Sequence, residues 1–208
     1  MTSVQKATRR RPRRTYSPRM PAQARREQLM DAALDLIERD GYRAVSVEAI
    51  VRELDVTRPV FYNVYSDLDA LLSDLLDRQE ARAMQQLTAR IAPPQLGGDL
   101  RAYLHDVVVA LVTMVAEDGR TWKPIFHASL DTPALARERI DRDRELIRQR
   151  FVLLLSLGVA SDTGADLPLL SHALVAIGEY FARMILDDPA SIDADRLAAT
   201  ITALVPLP

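Results

Sequence analysis

The chain has 208 residues, 48% of them hydrophobic, and a formal net charge of −2 at pH 7. That length suits one ordinary domain, or a small domain beside a larger one, with enough apolar residues for a substantial core. With no cysteine in the sequence, disulfides and Cys-ligated zinc are excluded, and no apolar run is expected to approach the roughly 20 residues that cross a bilayer.

The small net charge hides an asymmetry. Residues 1–26 hold Lys6, Arg9, Arg10, Arg11, Arg13, Arg14, Arg19, Arg25 and Arg26 and no acid, which leaves the remainder acidic. Such a split suggests a nucleic-acid-binding arm on an acidic body; a solvated tail would look the same. Residues 1–21 are read as a basic arm, disordered without its partner. Within it Arg9, Arg10, Arg11, Arg13 and Arg14 are candidates for phosphate contacts, which arginine makes bidentately. No apolar segment of the secretory type follows the basic start, so the chain is expected in the cytoplasm.

Ala22–Asp40 is predicted as a first helix, with Leu29, Ala33 and Leu36 on one stripe. Gly41 is placed as its left-handed terminal residue, with apolar Tyr42 following. Val47, Ile50, Val51 and Leu54 recur at i, i+3, i+4 and i+7, one apolar face of a short second helix. Ser46 stands where a hydroxyl caps its first turn. Leu54-Asp55-Val56 breaks the pattern. Thr57 is positioned to cap a third helix with Pro59 in its first turn. Two short helices joined by a tight turn describe a helix-turn-helix, whose second helix lies in the DNA major groove. An ordinary pair of surface helices fits the spacing alone as well.

The third helix has suitable chemistry for reading DNA. Phe61 and Tyr65 are four apart and pack inward, leaving Thr57, Arg58, Pro59, Val60, Tyr62 and Asn63 outward, with Val64 at the margin. Arginine pairs with guanine, asparagine with adenine, and an aliphatic side chain meets the thymine methyl. Tyr62 and Thr57 can reach phosphates. Ser46 and Val47, at the start of the second helix, complete the candidate DNA-binding set.

The run Arg25-Arg26-Glu27, Ala32-Ala33-Leu34, Gly41-Tyr42, Ser46-Val47-Glu48-Ala49-Ile50, Val56-Thr57-Arg58-Pro59-Val60-Phe61-Tyr62, Tyr65 and Ala70-Leu71 resembles the DNA-binding domain of the TetR family of bacterial repressors. The likeness covers residues 22–72, and its Arg-Pro-x-Phe-Tyr segment resembles the ethionamide-resistance branch. There are departures. Asp55 stands where the family often has Gly, and Ser66-Asp67-Leu68 where it usually has Pro-Ser-Lys with the lysine on a phosphate. The resemblance implies a repressor that binds a near-palindromic operator as a homodimer and answers to a small molecule.

Asp67 to about Ile91 is predicted as a long fourth helix. Pro93-Pro94 and Gly97-Gly98 mark a loop. From Asp99, Leu100, Leu104, Val107, Leu111 and Met114 form a stripe on a helix apolar on nearly all sides, as a buried bundle helix is. Trp122–Leu130 is read as a short helix with Pro124 near its first turn. Thr132-Pro133 then opens a helix reaching about Leu157, whose Arg/Asp/Glu side is a solvated face. Leu167–Leu186 and Asp193–Leu204 close the chain. Ala173, Ile177, Tyr180, Met184, Leu197, Ile201 and Leu204 are assigned to a two-fold dimer face, although both helices could instead cap a monomer core. Tyr103, Met114, Trp122, Phe126 and Phe181 are candidate linings of a cavity for an apolar or amphipathic molecule, or plain core.

The expected architecture is all-α, with about nine helices. A three-helix DNA-binding domain (22–72) precedes a helical bundle (73–208) that binds ligand and dimerises. His105, His127 and His172 lack a metal partner at i+4, and phosphate-loop, nucleophile-elbow and dinucleotide motifs are absent. No catalytic residue, metal site or cofactor is implied. The reading is a DNA-binding regulator released by a ligand; the alternative is one governed by a protein partner or by abundance.

Overall fold

Ten helical segments follow one another in the structure, a computed structural model that describes residues 20–95, 98–128, 132–156 and 166–205. They are α1 (Ala22–Asp40), a single 3-10 turn (Tyr42–Ala44), α2 (Val47–Glu53), α3 (Arg58–Tyr62), α4 (Leu68–Arg90), α5 (Leu100–Glu117), α6 (Gly119–Phe126), α7 (Ala134–Ser156), α8 (Leu167–Asp187) and α9 (Ala194–Leu204). The chain is all-α, with an N-terminal helix-turn-helix domain and a larger C-terminal helical domain.

Short oxygen-bearing side chains start most of these helices. Ser46, Asp67, Asp99, Asp118, Asp166 and Asp193 each accept a hydrogen bond from the backbone N–H three residues on, at 2.7–3.2 Å. Each bond satisfies one of the four N–H groups that a helix start leaves open. Thr57 stands at the same position before α3 but its hydroxyl makes no such bond, so the expected cap is positional only. Asp118 ends α5 and caps α6 in one residue. For that reason α6 begins at Gly119, earlier than expected, and Pro124 lies inside it rather than in its first turn; the expected end at Leu130 falls outside the described residues.

Two regions of core organise the chain. Leu29, Leu34, Ile50, Phe61, Leu71, Leu72 and Leu75, all 0% exposed, hold α1–α3 against the first half of α4. The second half of α4 joins the other region through Ala83, Leu87 and Ile91, packing with α5, α6, α8 and α9. A third cluster of Leu104, Leu155, Leu174 and Val205 ties α5 to α7, α8 and the residue after α9. The boundary expected at residue 72 therefore falls within an unbroken helix.

Gly41 has φ 78° and ψ 175°. This is an extended conformation open essentially to glycine, not the left-handed turn anticipated. It turns Tyr42 into the core, where 4% of it is exposed.

One composition estimate changes. Leu167–Asp187 is long and apolar enough, with mean hydropathy 1.4, to cross a membrane by length and composition, yet only 28% of that window is buried within the protomer. Ser171, His172, Glu179 and Arg183 break it into shorter apolar runs, which is why unbroken runs alone do not reveal it.

Candidate nucleic-acid interface and internal cavity

The turn between α2 and α3 needs one residue at positive φ, and Asp55 supplies it at 50°. Aspartate tolerates that region better than most residues with a Cβ. Val56 then donates its backbone N–H to the Val51 carbonyl at 2.9 Å, which closes the turn. Phe61 and Tyr65 anchor α3 from below, with ring centroids 5.9 Å apart and 0% and 3% exposed. Burial, with Asp74 nearby, pushes the Tyr65 phenol up to about 12.

That anchoring leaves Thr57, Arg58, Pro59, Tyr62 and Asn63 exposed and Val60 half-buried on the outer side. Arg58 is ion-paired with Glu48 at the start of α2. Both groups are more than half exposed, so the pair is weak and open to exchange for a nucleic acid. Ser46 spends its hydroxyl oxygen on the α2 cap, and Val47 and Val64 pack against the domain core. Leu68, where the resemblance places a phosphate-binding lysine, also packs on that core. Arg26 fastens α1 to α4 through Asp74 at 2.7 Å and lies 5.0 Å from the Tyr65 ring centre. Its charge is thus partly internal. Arg9, Arg10, Arg11, Arg13 and Arg14 lie outside the described residues.

A cavity of about 340 Å³ occupies the C-terminal domain. Its wall comes from Leu87 and Ile91 of α4, from Tyr103, Val107, Val108, Leu111, Val112 and Val115 of α5, and from Trp122 and Phe126 of α6. Ile147, Arg150, Phe151 and Leu154 of α7 continue it, with a long strip of α8 from Leu174 to Ile185 and with Leu197 and Ile201 of α9. Tyr103, Trp122, Phe126 and Phe181, expected at such a wall, are part of it. Met114 is not; it is 1% exposed and packs into solid core on another side of α5. Trp122 and Phe126 stack at 5.8 Å, and the Trp122 indole N–H donates to Gln86 at 2.9 Å. Sequence reasoning missed Arg150 and Glu179: Arg150 lies on the charged side of α7, which reads as a solvated face, and Glu179 is a lone acid on an apolar stretch of α8.

Helix α6 carries this wall and also touches the DNA-binding half. A proline nitrogen bears no hydrogen, so Pro124 cannot donate to the Arg120 carbonyl four residues back. Gln79 of α4, 0% exposed, supplies the missing donor at 2.7 Å. The Pro124 carbonyl, at the end of α6, accepts from the Tyr42 hydroxyl at 2.8 Å. Burial raises the Tyr42 pKa, which keeps that hydroxyl a donor. Arg120 reaches Asp35 at 2.6 Å and Glu38 at 2.9 Å on α1.

The outer faces of α8 and α9 are apolar and open. Leu169, Tyr180 and Leu204 are 65%, 56% and 56% exposed, and Ala173, Ala176, Ala199 and Ala203 lie exposed among them. Ile177 and Met184 are half-buried. Two residues assigned to this face do not belong to it. Leu197 is 6% exposed within the chain, and Ile201 faces the cavity and its neighbouring clusters. The stripe they form on α9 serves the chain's own core. His105 lies near Asp106 and Asp195 and His127 near Asp187, at 3.7–3.8 Å, and the described residues contain no group of three that would hold a metal.

Residues 29–75 match the model of the bacterial regulatory proteins of the tetR family. Solved structures with the same fold include a TetR-like transcriptional regulator from Rhodococcus sp. RHA1, 23% identical over 90% of this chain and 96% of that one, with a TM-score of 0.70. A transcriptional regulator from Pseudomonas aeruginosa PAO1 is 21% identical over 89% and 90%, at 0.66. SmeT in complex with triclosan is 20% identical over 89% and 92%, at 0.64. Residues 29–75 thus carry a DNA-binding domain of the tetR type, with the turn that presents α3, and the chain shares its fold along almost its whole length with transcriptional regulators of that kind.

Proposed function

We propose that this regulator is a homodimeric repressor, held on a near-palindromic operator and released by an apolar or amphipathic small molecule. One observation carries the reading: α6 places Trp122 and Phe126 in the cavity wall while its backbone and Arg120 are bonded to α1, α4 and Tyr42. A ligand that displaces the ring pair strains bonds that position the DNA-binding half. The cavity's volume lies within the ~300–1,000 Å³ of small-molecule sites and its wall is mainly apolar, as in most of them. The SmeT complex with triclosan is a further support from a relative.

On this reading residues 1–21 form the basic arm, 22–72 the DNA-binding unit and 73–208 the effector and dimer unit, with α4 shared. The operator is read by Arg58, Tyr62, Asn63 and Val60, and its backbone is met by Thr57, the start of α2 and Arg9–Arg14 of the arm. Two copies join through Ala173, Ile177, Tyr180, Met184 and Leu204. The open apolar face of α8 then meets a partner helix rather than a bilayer, and the protein works on DNA in the bacterial cytoplasm. Two-fold symmetry in the protein is mirrored by half-sites about one helical turn, ~34 Å, apart or somewhat more.

The test combines mass and binding. Light scattering at micromolar concentration should give twice the 23.3 kDa chain mass. Fragments selected from genomic DNA should share an inverted repeat, and a ligand found by thermal shift should weaken that operator. A monomeric mass, or a tight cavity ligand that leaves operator affinity unchanged, refutes the corresponding half of the proposal.

A further inference from the structure

Three residues interrupt the apolar cavity wall: Tyr103, Arg150 and Glu179. The two charged ones differ in what surrounds them. Glu179 is neutralised by Arg144 at 2.5 Å, with Arg183 at 3.8 Å from its other oxygen. Arg150 has no hydrogen bond or ion pair among the described residues. On the same helix Arg139, Arg144 and Arg148 each hold a carboxylate. Arg150 is therefore the uncompensated charge of the wall, and a guanidinium stays charged at any working pH. It is exposed, as is Gly178 of α8, which also lies in the wall. The cavity thus meets solvent beside a cation.

Its shape narrows the occupant. Along α5 the wall runs from Tyr103 to Val115, twelve residues or roughly 18 Å at ~1.5 Å each. About 340 Å³ over such a length is a narrow channel. A cavity of about 150 Å³ holds one benzene, so this one fits an extended chain or two rings in line. Arg150 stands at the Tyr103 end, since its neighbours Phe151 and Leu154 pack in the cluster with Tyr103 and Leu174. Trp122 and Phe126 belong to the other end, with Ala182 and Ile185.

The geometry points to an effector with one anionic head and a slender apolar body, of the medium-chain carboxylate type. Its carboxylate pairs with Arg150 at the mouth, and its tail lies along α5 toward Trp122 and Phe126. This assignment rests on the ligand-release reading above. A cationic head is disfavoured, because Glu179 is already satisfied and Arg150 repels it. A neutral head forgoes the charge-assisted, bidentate bond that a carboxylate makes with a guanidinium.

The experiment uses decanoate, decanol and decylamine, each below its micellar concentration, on the full-length protein. Calorimetry measures binding to the wild type, Arg150→Gln and Arg150→Lys, with operator release followed by anisotropy in parallel. The wild type should bind decanoate about tenfold tighter than decanol, a difference of ~1.4 kcal/mol, and decylamine weakest. Arg150→Gln should bring decanoate to the level of decanol, Arg150→Lys should keep most of the preference, and decanol binding should be the same in all three, which certifies the fold. Equal binding of decanoate and decanol to the wild type, or a preference that survives in Arg150→Gln, overturns the assignment while operator release still judges the broader reading. The expected preference without operator release upholds the assignment and overturns the release mechanism. No binding by any of the three overturns both.

Discussion

Replacing Gln79 by methionine tests the joint between the two halves at its most economical point. The substitution keeps the length and much of the volume of a side chain that is 0% exposed and deletes only its hydrogen-bonding amide. The Arg120 carbonyl, which receives that amide at 2.7 Å, then has no donor from its own helix, because position 124 is proline. A buried acceptor left unsatisfied costs about 1–3 kcal/mol. For a chain of this size a loss near 2 kcal/mol lowers Tm by about 4–8 °C. Pro124→Ala restores an N–H four residues after Arg120, so in its background the Gln79 amide is less needed. The double-mutant cycle should therefore show a coupling of about 1 kcal/mol or more, with Gln79→Met milder beside Ala than beside Pro. Chemical denaturation of the four proteins measures it. Strict additivity would mean that Gln79 does not stand in for the missing helical donor, and the account of how α4 holds α6 would be wrong.

Other expectations follow from the same geometry. Arg58→Ala should cost about 1–3 kcal/mol on the operator and relax one base position; equal loss on random DNA moves Arg58 to a backbone role. Tyr180→Asp, on the open face of α8, should yield monomers by light scattering and weaken operator binding with them. A Cβ at Gly178 meets nothing within 4 Å, so Gly178→Phe should fold normally and, by filling the cavity, lower decanoate affinity at least tenfold in calorimetry. Burial lowers the His127 pKa from 6.5 against the pull of Asp187, while Lys123 and Arg183 lower it further. The folded state thus binds fewer protons at this group, and its contribution is complete above pH 6.5 and lost as pH falls through the lowered value. Denaturation of His127→Gln should show a weaker loss of stability below pH 6.5 than the wild type does.

Much of the DNA-binding half is legible in the sequence because its signals are local. Ser46 and Asp67 are caps, the apolar residues of α1 and α2 repeat at helical spacing, and Asp55 marks the turn. The parts that were not legible depend on partners far along the chain. Pro124 carries the signal of a first helical turn, and only Gln79, 45 residues away by number, makes it tolerable inside α6. Arg150 looks like its neighbours on α7 until their carboxylates are placed and its own is missing. Leu197 and Ile201 show that spacing reveals an apolar stripe without saying whose core it fills. An 11-residue helix with two apolar sides offers one to its own protomer and the other outward, and periodicity cannot tell which.

The joint also explains why a small displacement could be decisive. Trp122 and Phe126 meet the cavity through apolar packing, which tolerates sliding by fractions of an ångström. On its other side α6 is held by directional bonds of 2.6–2.9 Å from Gln79, Tyr42, Asp35 and Glu38. Hydrogen bonds weaken steeply once stretched past ~3.5 Å or bent below ~120°. A shift of α6 that the cavity side absorbs is thus enough to break the DNA-domain side. A hundredfold loss of operator affinity needs about 2.7 kcal/mol of coupling, and a net hydrogen bond contributes about 0.5–1.5 kcal/mol. The rupture of two or three of the four contacts therefore suffices, without unfolding either domain. On the proposed release mechanism, linkage requires the operator to weaken the effector by the same hundredfold, so an effector titration on DNA-bound protein should report the joint as directly as an operator titration does.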